Sequence, residues 1–497
     1  MKGAETKRDD IACAYSAQWF ERLGRVWVSA LKEHFEQVAG RNSNVLNWAL
    51  PTDNVELATR LVNTPCSPEE TLETRFSKLV NVILARGQNL HHPRYVGHQV
   101  PASIPIAALF DAIGAATNQV MAIYEMGPWA TAVERAMIDL LGAEIGYAPG
   151  SFSGICTSGG SLANLTALLT ARNQLLSGSW TNGLACVSDS PALVVQNDVH
   201  YSVIRAAGVL GVGTNNIVRI PVDNHRKMDV QQLDKTLSSL RRKQRLVFAV
   251  VAGACATPIG AFDPLADIAD VCQKHKVWLH VDAAHGGAVL LSAQHRHLVA
   301  GLDRADSIVW DAHKMLFMPA LCAFLFYREK SHRLAAFQQD ANYLFDPLDP
   351  GLVEYDSGLQ TLECTKRAAA FGLWGTWSLF GRQLFEDLIN VTFARTQRFY
   401  QMLLDAEDFQ PLHQPQCNIQ VFRFVPPLME NWPIEQVGEF QLKLRRSVIT
   451  SGEAYLVPIT LDGVGALRMT LINPTTEELD LACILDILRA HAKKLLD

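Results

Sequence analysis

Between roughly residues 100 and 375, short apolar runs alternate with longer stretches whose apolar positions recur at helical spacing. Residues 246–251, 277–281 and 321–327 are such runs, each of strand length and rich in β-branched or aromatic side chains. A strand covered by helices on both faces reads as nearly continuous apolar sequence, so the alternation predicts an α/β fold: a mainly parallel sheet crossed by helices. Farther on, Thr475 and Glu478 have the spacing of a capping box, and Leu481, Ile484, Leu485, Leu488 and Leu495 form one stripe behind it, which predicts a final helix. No internal repeat or low-complexity tract interrupts the pattern. The expected organisation is an N-terminal helical arm over residues 1–100, a large α/β domain over 101–375 and a small C-terminal α+β domain over 376–497.

Composition narrows the class. With 497 residues, 48% hydrophobic and 19% charged, the chain can bury a large core. A net charge of -6 at pH 7 and a pI near 6.2 provide no field to gather nucleic acid or an anionic membrane. The basic cluster at residues 241–245 reads as a solvated helix end. The first ten residues lack the apolar run of a signal peptide, and no later stretch has the length and apolarity to span a bilayer, so a cytoplasmic protein is expected. Ten cysteines without CxxC pairs fit reduced thiols, and no metal site is expected; His91 and His92 are adjacent rather than spaced for one helix face.

The candidate chemistry sits at strand ends. Residues 278–282 deliver Asp282, and residues 307–311 lead into His313 and Lys314. A lysine among apolar neighbours loses solvation of its charged form, so its pKa is expected to fall and its amine to become nucleophilic toward an aldehyde. A carboxylate at a fixed distance suits a protonated pyridine nitrogen. Together they match the needs of pyridoxal phosphate. A third feature, Thr157-Ser158-Gly159-Gly160-Ser161, opens a helical run. Glycines admit a ligand close to the backbone, and a helix N-terminus attracts an anion, so Gly160 and Ser161 form a candidate phosphate cradle.

These segments occur in an order that resembles the group II pyridoxal-phosphate amino-acid decarboxylases, which include the glutamate, aromatic-amino-acid, cysteine-sulfinate and diaminobutyrate enzymes. The resemblance runs over roughly residues 80 to 480. It rests on the Ser-Gly-Gly-Ser helix start, Asp198-Val199-His200-Tyr201-Ser202, Gly260-Ala261-Phe262-Asp263-Pro264, His280-Val281-Asp282-Ala283-Ala284 and His313-Lys314. Further segments are His92-Pro93-Arg94-Tyr95, Tyr124-Glu125-Met126-Gly127-Pro128, Tyr343-Leu344-Phe345 and Leu467-Arg468. It implies fold type I, with a seven-stranded sheet, and decarboxylation of an L-amino acid to the amine and CO2. Lys314 would carry the cofactor as a Schiff base, Asp282 would keep its ring nitrogen protonated, and His200 and Ala284 would lie on opposite ring faces. Gly160 and Ser161 would bind the phosphate, with His313 near it or near the substrate, and Thr257 would touch the ring or its hydroxyl. Tyr343, on a loop, would protonate the substrate carbon after CO2 leaves. Arg468 would bind substrate, and His98 is a second candidate. A homodimer with Tyr343 serving the neighbouring site is also implied.

Three departures stand out. Cys255-Ala256-Thr257 replaces the family's Gly-Thr-Thr, Asp311-Ala312 replaces the common Asn-Pro, and Gly97-His98-Gln99-Val100 lacks the Gln and Ser that bind the distal carboxylate in glutamate decarboxylases. Within the cofactor class, an aldehyde-forming oxidative decarboxylase and a carbon–carbon lyase are the rivals. Outside it, the rival is a catalytically dead binding homologue, against which the retained Lys314, Asp282 and His200 argue.

Overall fold

The apolar runs pair into one seven-stranded sheet. A computed structural model describes residues 10–65, 67, 69–337 and 354–497. In chain order the strands are β1 (Ser153–Thr157), β2 (Ala192–Gln196), β3 (Ile217–Ile220), β4 (Val247–Gly253), β5 (Trp278–Asp282), β6 (Ser307–Asp311) and β7 (Ala323–Tyr327). Their spatial order is β1-β7-β6-β5-β4-β2-β3. All neighbours are parallel except β7, which runs antiparallel to both β1 and β6. The run at 321–327 is thus not another parallel strand. Only the short segment 312–322 connects it to β6, too little for the helical crossover that a parallel return needs.

Period-two packing explains the apolar runs. Leu193 and Val195 of β2 join Leu168 and Val203 from helices Gly160–Leu175 and Tyr201–Val209 on one face. Val194 between them joins Leu233 and Ile268 from helices Val230–Arg242 and Leu265–His275 on the other. Both faces are covered, so no polar alternation appears in the sequence.

The N-terminal segment is helical, with Ala17–Ala39, Pro51–Asn63 and Leu72–Arg86 its main elements. Val38 and Val80 are the only buried residues of these three helices. At the other end, β8 (Phe409–Pro411), β9 (Ile419–Phe424), β10 (Val457–Leu461) and β11 (Val464–Thr470) form an antiparallel sheet in the order β8-β9-β11-β10. Helices Ile434–Ser451 and Glu478–Leu496 contribute Phe440, Leu444, Leu481 and Leu488 to the core against it. A long helix, Phe371–Leu404, broken at Gly381, leads into this sheet.

The final helix is capped differently from the expectation. Its capping box pairs Glu477 with Asp480, not Thr475 with Glu478. Thr475 is engaged upstream, where its N–H and hydroxyl both donate to Asn473 Oδ1 at 2.9 and 2.8 Å. Leu481, Ile484, Leu485 and Leu488 are buried, but Leu495 is 42% exposed, since a straight helix drifts about 20° per heptad and its last turn leaves the seam.

Candidate active site

Two parallel strands end side by side. The last residue of β5 is Asp282 and the last of β6 is Asp311, with Lys314 three residues beyond. A cavity of about 290 Å³ opens at these carboxyl ends, where ligands settle in parallel sheets. Gly160, Ser161, His200, Thr257, Asp282, Ala284, His313 and Lys314 all line it. Segments more than 150 residues apart in sequence therefore meet at one site.

A hydrogen-bond network fixes the carboxylate. Asp282 Oδ2 accepts from Asn164 Nδ2 at 2.9 Å, and Oδ1 accepts from the Ala284 N–H at 3.2 Å. Asn164 Nδ2 also donates to Ser202 Oγ at 2.9 Å, while its Oδ1 lies 2.8 Å from His280 Nε2. Ser307 Oγ accepts from Trp278 Nε1 and sits 2.8 Å from His280 Nδ1. This arrangement assigns His280 Nδ1 as acceptor and Nε2–H as donor. Burial pulls the His280 pKa down to about 4, which keeps the ring neutral and that polarity fixed. On the far side, Ser202 Oγ lies 2.8 Å from His200 Nδ1 and, already receiving a proton from Asn164, donates to it. His200, lowered from its ordinary value mainly by burial, then presents Nε2–H.

Asn164, Ser202, His280 and Ser307 were not singled out from sequence, although Asn164 follows the glycine pair on its helix and His280 shares a strand face with Asp282. His285 was also missed. It lines the cavity fully buried, with Nε2 2.8 Å from Asn418 Oδ1 and its pKa pushed down to about 3 by burial.

The anion cradle is local. Gly159 adopts φ +123°, a conformation favouring glycine, and hands over to helix Gly160–Leu175, whose start has no side-chain cap. At Gly160 a Cβ would come 2.7 Å from Asp311 Oδ2, so only glycine lets the helix start lie against that strand end. The Gly-Ala-Phe-Asp-Pro segment serves the backbone: Asp263 accepts from the N–H groups of Gly253 and Met228, each at 2.7 Å, tying down the end of β4.

Lys314 departs from expectation. Its Nζ lies 3.0 Å from Asp311 Oδ2. Burial by itself lowers its proton affinity, but the Asp311 and Asp282 carboxylates outweigh burial and leave its pKa raised. The forecast of a depressed lysine is corrected: the apolar run supplies buried carboxylates as well as apolar walls. His313 places Nδ1 2.8 Å from the Cys322 carbonyl.

The two substrate candidates lie apart. Arg468, on β11, is 5% exposed, donates through Nε to the Pro258 carbonyl at 3.2 Å and leaves Nη2 without a partner among the described residues. Burial pulls its pKa down to about 10. His98 is exposed, its ring 5.9 Å from that of Tyr455, and the cavity wall is formed by its neighbour Gln99. Tyr343 lies outside the described residues.

A helix start with free N–H groups, a carboxylate held from two sides and a lysine in one cavity fit pyridoxal phosphate. The sheet order and this site define the class, a fold type I pyridoxal-phosphate enzyme. The profile of the pyridoxal-dependent decarboxylase conserved domain matches residues 61–425. The chain is 31% identical to the acidic amino acid decarboxylase GADL1 of Mus musculus over 457 residues, covering 90% of this chain and 81% of that protein. It is 32% identical to the cysteine sulfinic acid decarboxylase of Rattus norvegicus over 406 residues, covering 82% and 81%. The crystal structure of mouse CSAD superposes with a TM-score of 0.87 at 27% identity, covering 95% of this chain and 99% of that one. The chain belongs to the pyridoxal-dependent decarboxylase family, and it is a pyridoxal-phosphate-dependent amino-acid decarboxylase. Among the described residues no helix is long and apolar enough to cross a membrane.

Proposed function

We propose that this enzyme removes CO2 from an L-amino acid with a short acidic side chain, with Lys314, Asp282 and His200 as its catalytic residues. When bound, pyridoxal phosphate supplies an aldehyde for amine capture and a protonated ring that takes up the electron pair left by departing CO2. Lys314 is the covalent anchor. Asp282, held by Asn164 and Ala284, keeps a proton on the ring nitrogen through the charge it places there. His200, on the cavity wall, would lie over one face of the ring, and Ala284 would leave room on the other. Gly160 and Ser161 receive the phosphate, with His313 near it, and Thr257 supplies a hydroxyl beside the ring. The proton for the substrate carbon is assigned to Tyr343.

The observation that carries the substrate class is Arg468, a buried guanidinium whose Nη2 has no partner among the described residues and which lies behind the turn whose Cys255, Ala256 and Thr257 wall the cavity. A buried cationic donor without a partner calls for an anion. The names of GADL1 and the rat enzyme, an acidic amino acid and a cysteine sulfinic acid decarboxylase, support the same choice. Gln99 in the cavity wall, with His98 beside it, is proposed to set side-chain length. Measuring CO2 release across acidic, aromatic and diamino substrates should give the highest kcat/KM for a carboxylate- or sulfinate-bearing side chain. Arg468→Met should lower that value on the order of a hundredfold, about 3 kcal/mol, and erase the preference. A diamino acid as best substrate, or a preference untouched in Arg468→Met, would sink the proposal.

A two-fold homodimer is proposed with it. Ile106, Leu109 and Ile113 form an apolar stripe on helix Pro105–Ala116 at 39, 51 and 56% exposure. Such a stripe calls for cover. Sedimentation equilibrium should return the mass of two chains, and a fully active monomer would refute the pairing. The described cysteines are free thiols, which supports a reducing, cytoplasmic setting and no structural disulfide.

A further inference from the structure

The resemblance noted in the sequence gives no role to Asp311, which stands where the family commonly has Asn. Its side chain is 1% exposed at the end of β6, where its N–H donates to the Ala284 carbonyl at 3.1 Å. One oxygen, Oδ2, lies 3.0 Å from Lys314 Nζ, and the other, Oδ1, is buried with no hydrogen-bond partner among the described residues. The turn that follows β6, closed by the Lys314 N–H on the Asp311 carbonyl at 3.2 Å, sets the two side chains together. A carboxylate this far from water requires a positive partner, and breaking such a pair costs more than the pair gains.

We infer that Asp311 is the counter-ion of Lys314: its carboxylate positions Nζ in the cavity and holds a proton there, so that it sets the pH at which the amine becomes free to react. The inference rests on the reading of Lys314 as the cofactor lysine. Other ionisable groups act on this pair from the neighbouring elements. They are Asp282 from β5, Cys255 from the turn after β4, His200 from the segment after β2, His285 from the segment after β5, and His313, whose Nε2 is 3.6 Å from Asp311 Oδ2. Asp282 shares the negative charge, but in the loaded enzyme it is assigned to the ring nitrogen. Asp311 alone then remains dedicated to Nζ. An amide at this position has the same shape and no charge, so it removes the nearer of the two carboxylates that oppose desolvation of the amine and shifts the balance toward the neutral form.

The test reads covalent attachment rather than turnover. Full-length protein stripped of cofactor is mixed with pyridoxal phosphate at a series of pH values, trapped with borohydride and analysed by intact mass and peptide mapping. In Asp311→Asn the half-point of the attachment rate against pH should move down by at least about one unit. Attachment near neutral pH should therefore be about tenfold faster than in the parent. Asp311→Glu, which keeps the charge, should restore the higher half-point. Binding of 4-deoxypyridoxine 5-phosphate, which lacks the aldehyde, should stay within about threefold, since the cradle is intact. An unmoved or raised half-point in Asp311→Asn overturns the counter-ion role, as does loss of the deoxy analogue, which would make Asp311 part of the cradle instead. Label found away from Lys314 would remove the cofactor-lysine reading itself, whereas label on Lys314 with an unmoved half-point removes only the inference about Asp311.

Discussion

Lys314→Ala is expected to abolish decarboxylation while the protein keeps its fold and still binds pyridoxal phosphate without a covalent bond. In the proposed role the amine takes part directly, and among the described residues no other lysine lines the cavity. Covalent capture splits one hard step into easier ones, and losing the nucleophile removes that route rather than weakening it. A loss of at least about ten-thousandfold is expected, on the order of 5 kcal/mol or more in the barrier. The fold should survive because the change removes one ion pair from a large core, and the Asp311 carboxylate left behind can take up a proton instead of standing as an unpaired buried charge. Borohydride trapping, CO2 release and far-UV circular dichroism check the three statements together. Substantial turnover in a purified, cofactor-saturated Lys314→Ala preparation would show that the lysine has been assigned wrongly.

Asp282→Asn should slow the chemical step by at least about a hundredfold, close to 3 kcal/mol, under cofactor saturation. The substitution keeps the size and hydrogen-bonding reach of the side chain. What it removes is the negative charge that holds a proton on the ring nitrogen, and with it the electron sink. The surroundings sharpen the effect, because Asn164 and the Ala284 N–H both donate to the carboxylate. An amide can present its oxygen to only one of them, so the variant also leaves a donor unmatched next to the ring. Single-turnover rates, measured apart from cofactor affinity, are the decisive readout. A near-parental rate would contradict the electron-sink role of Asp282.

Much of this enzyme is legible along the chain. Apolar runs broken by helical stretches specify a helix-covered sheet, because a strand buried on both faces has no polar positions to alternate. The candidate cofactor residues are legible for a related reason: parallel sheets present ligands at strand ends, and Asp282, His313 and Lys314 each follow an apolar run. Glycine at 159 and 160 is legible as well, since backbone conformation and close approach leave no other residue type.

Other properties depend on distances that no local pattern carries. β7 reverses direction because its connection is short, which a run of apolar residues does not reveal. The final helix is capped two residues past the expected position because Asn473 has already engaged Thr475. The protonation of Lys314 inverts between sequence and structure for the same reason. Apolar neighbours in sequence imply a depressed amine, but charge acts through space, and the fold places Asp311 3.0 Å from Nζ and brings Asp282 in from the adjacent strand. The sequence by itself determined the sheet, the cofactor chemistry and the residue types that hold it, because these follow from burial and chain periodicity. Tertiary structure alone decided the relay from Ser307 through His280 and Asn164 to Asp282, the orphaned donor of Arg468 and the charge state of the lysine. Each of these is a Coulombic or hydrogen-bonding relation between segments far apart in the chain, and such relations come into existence only when packing fixes their separations.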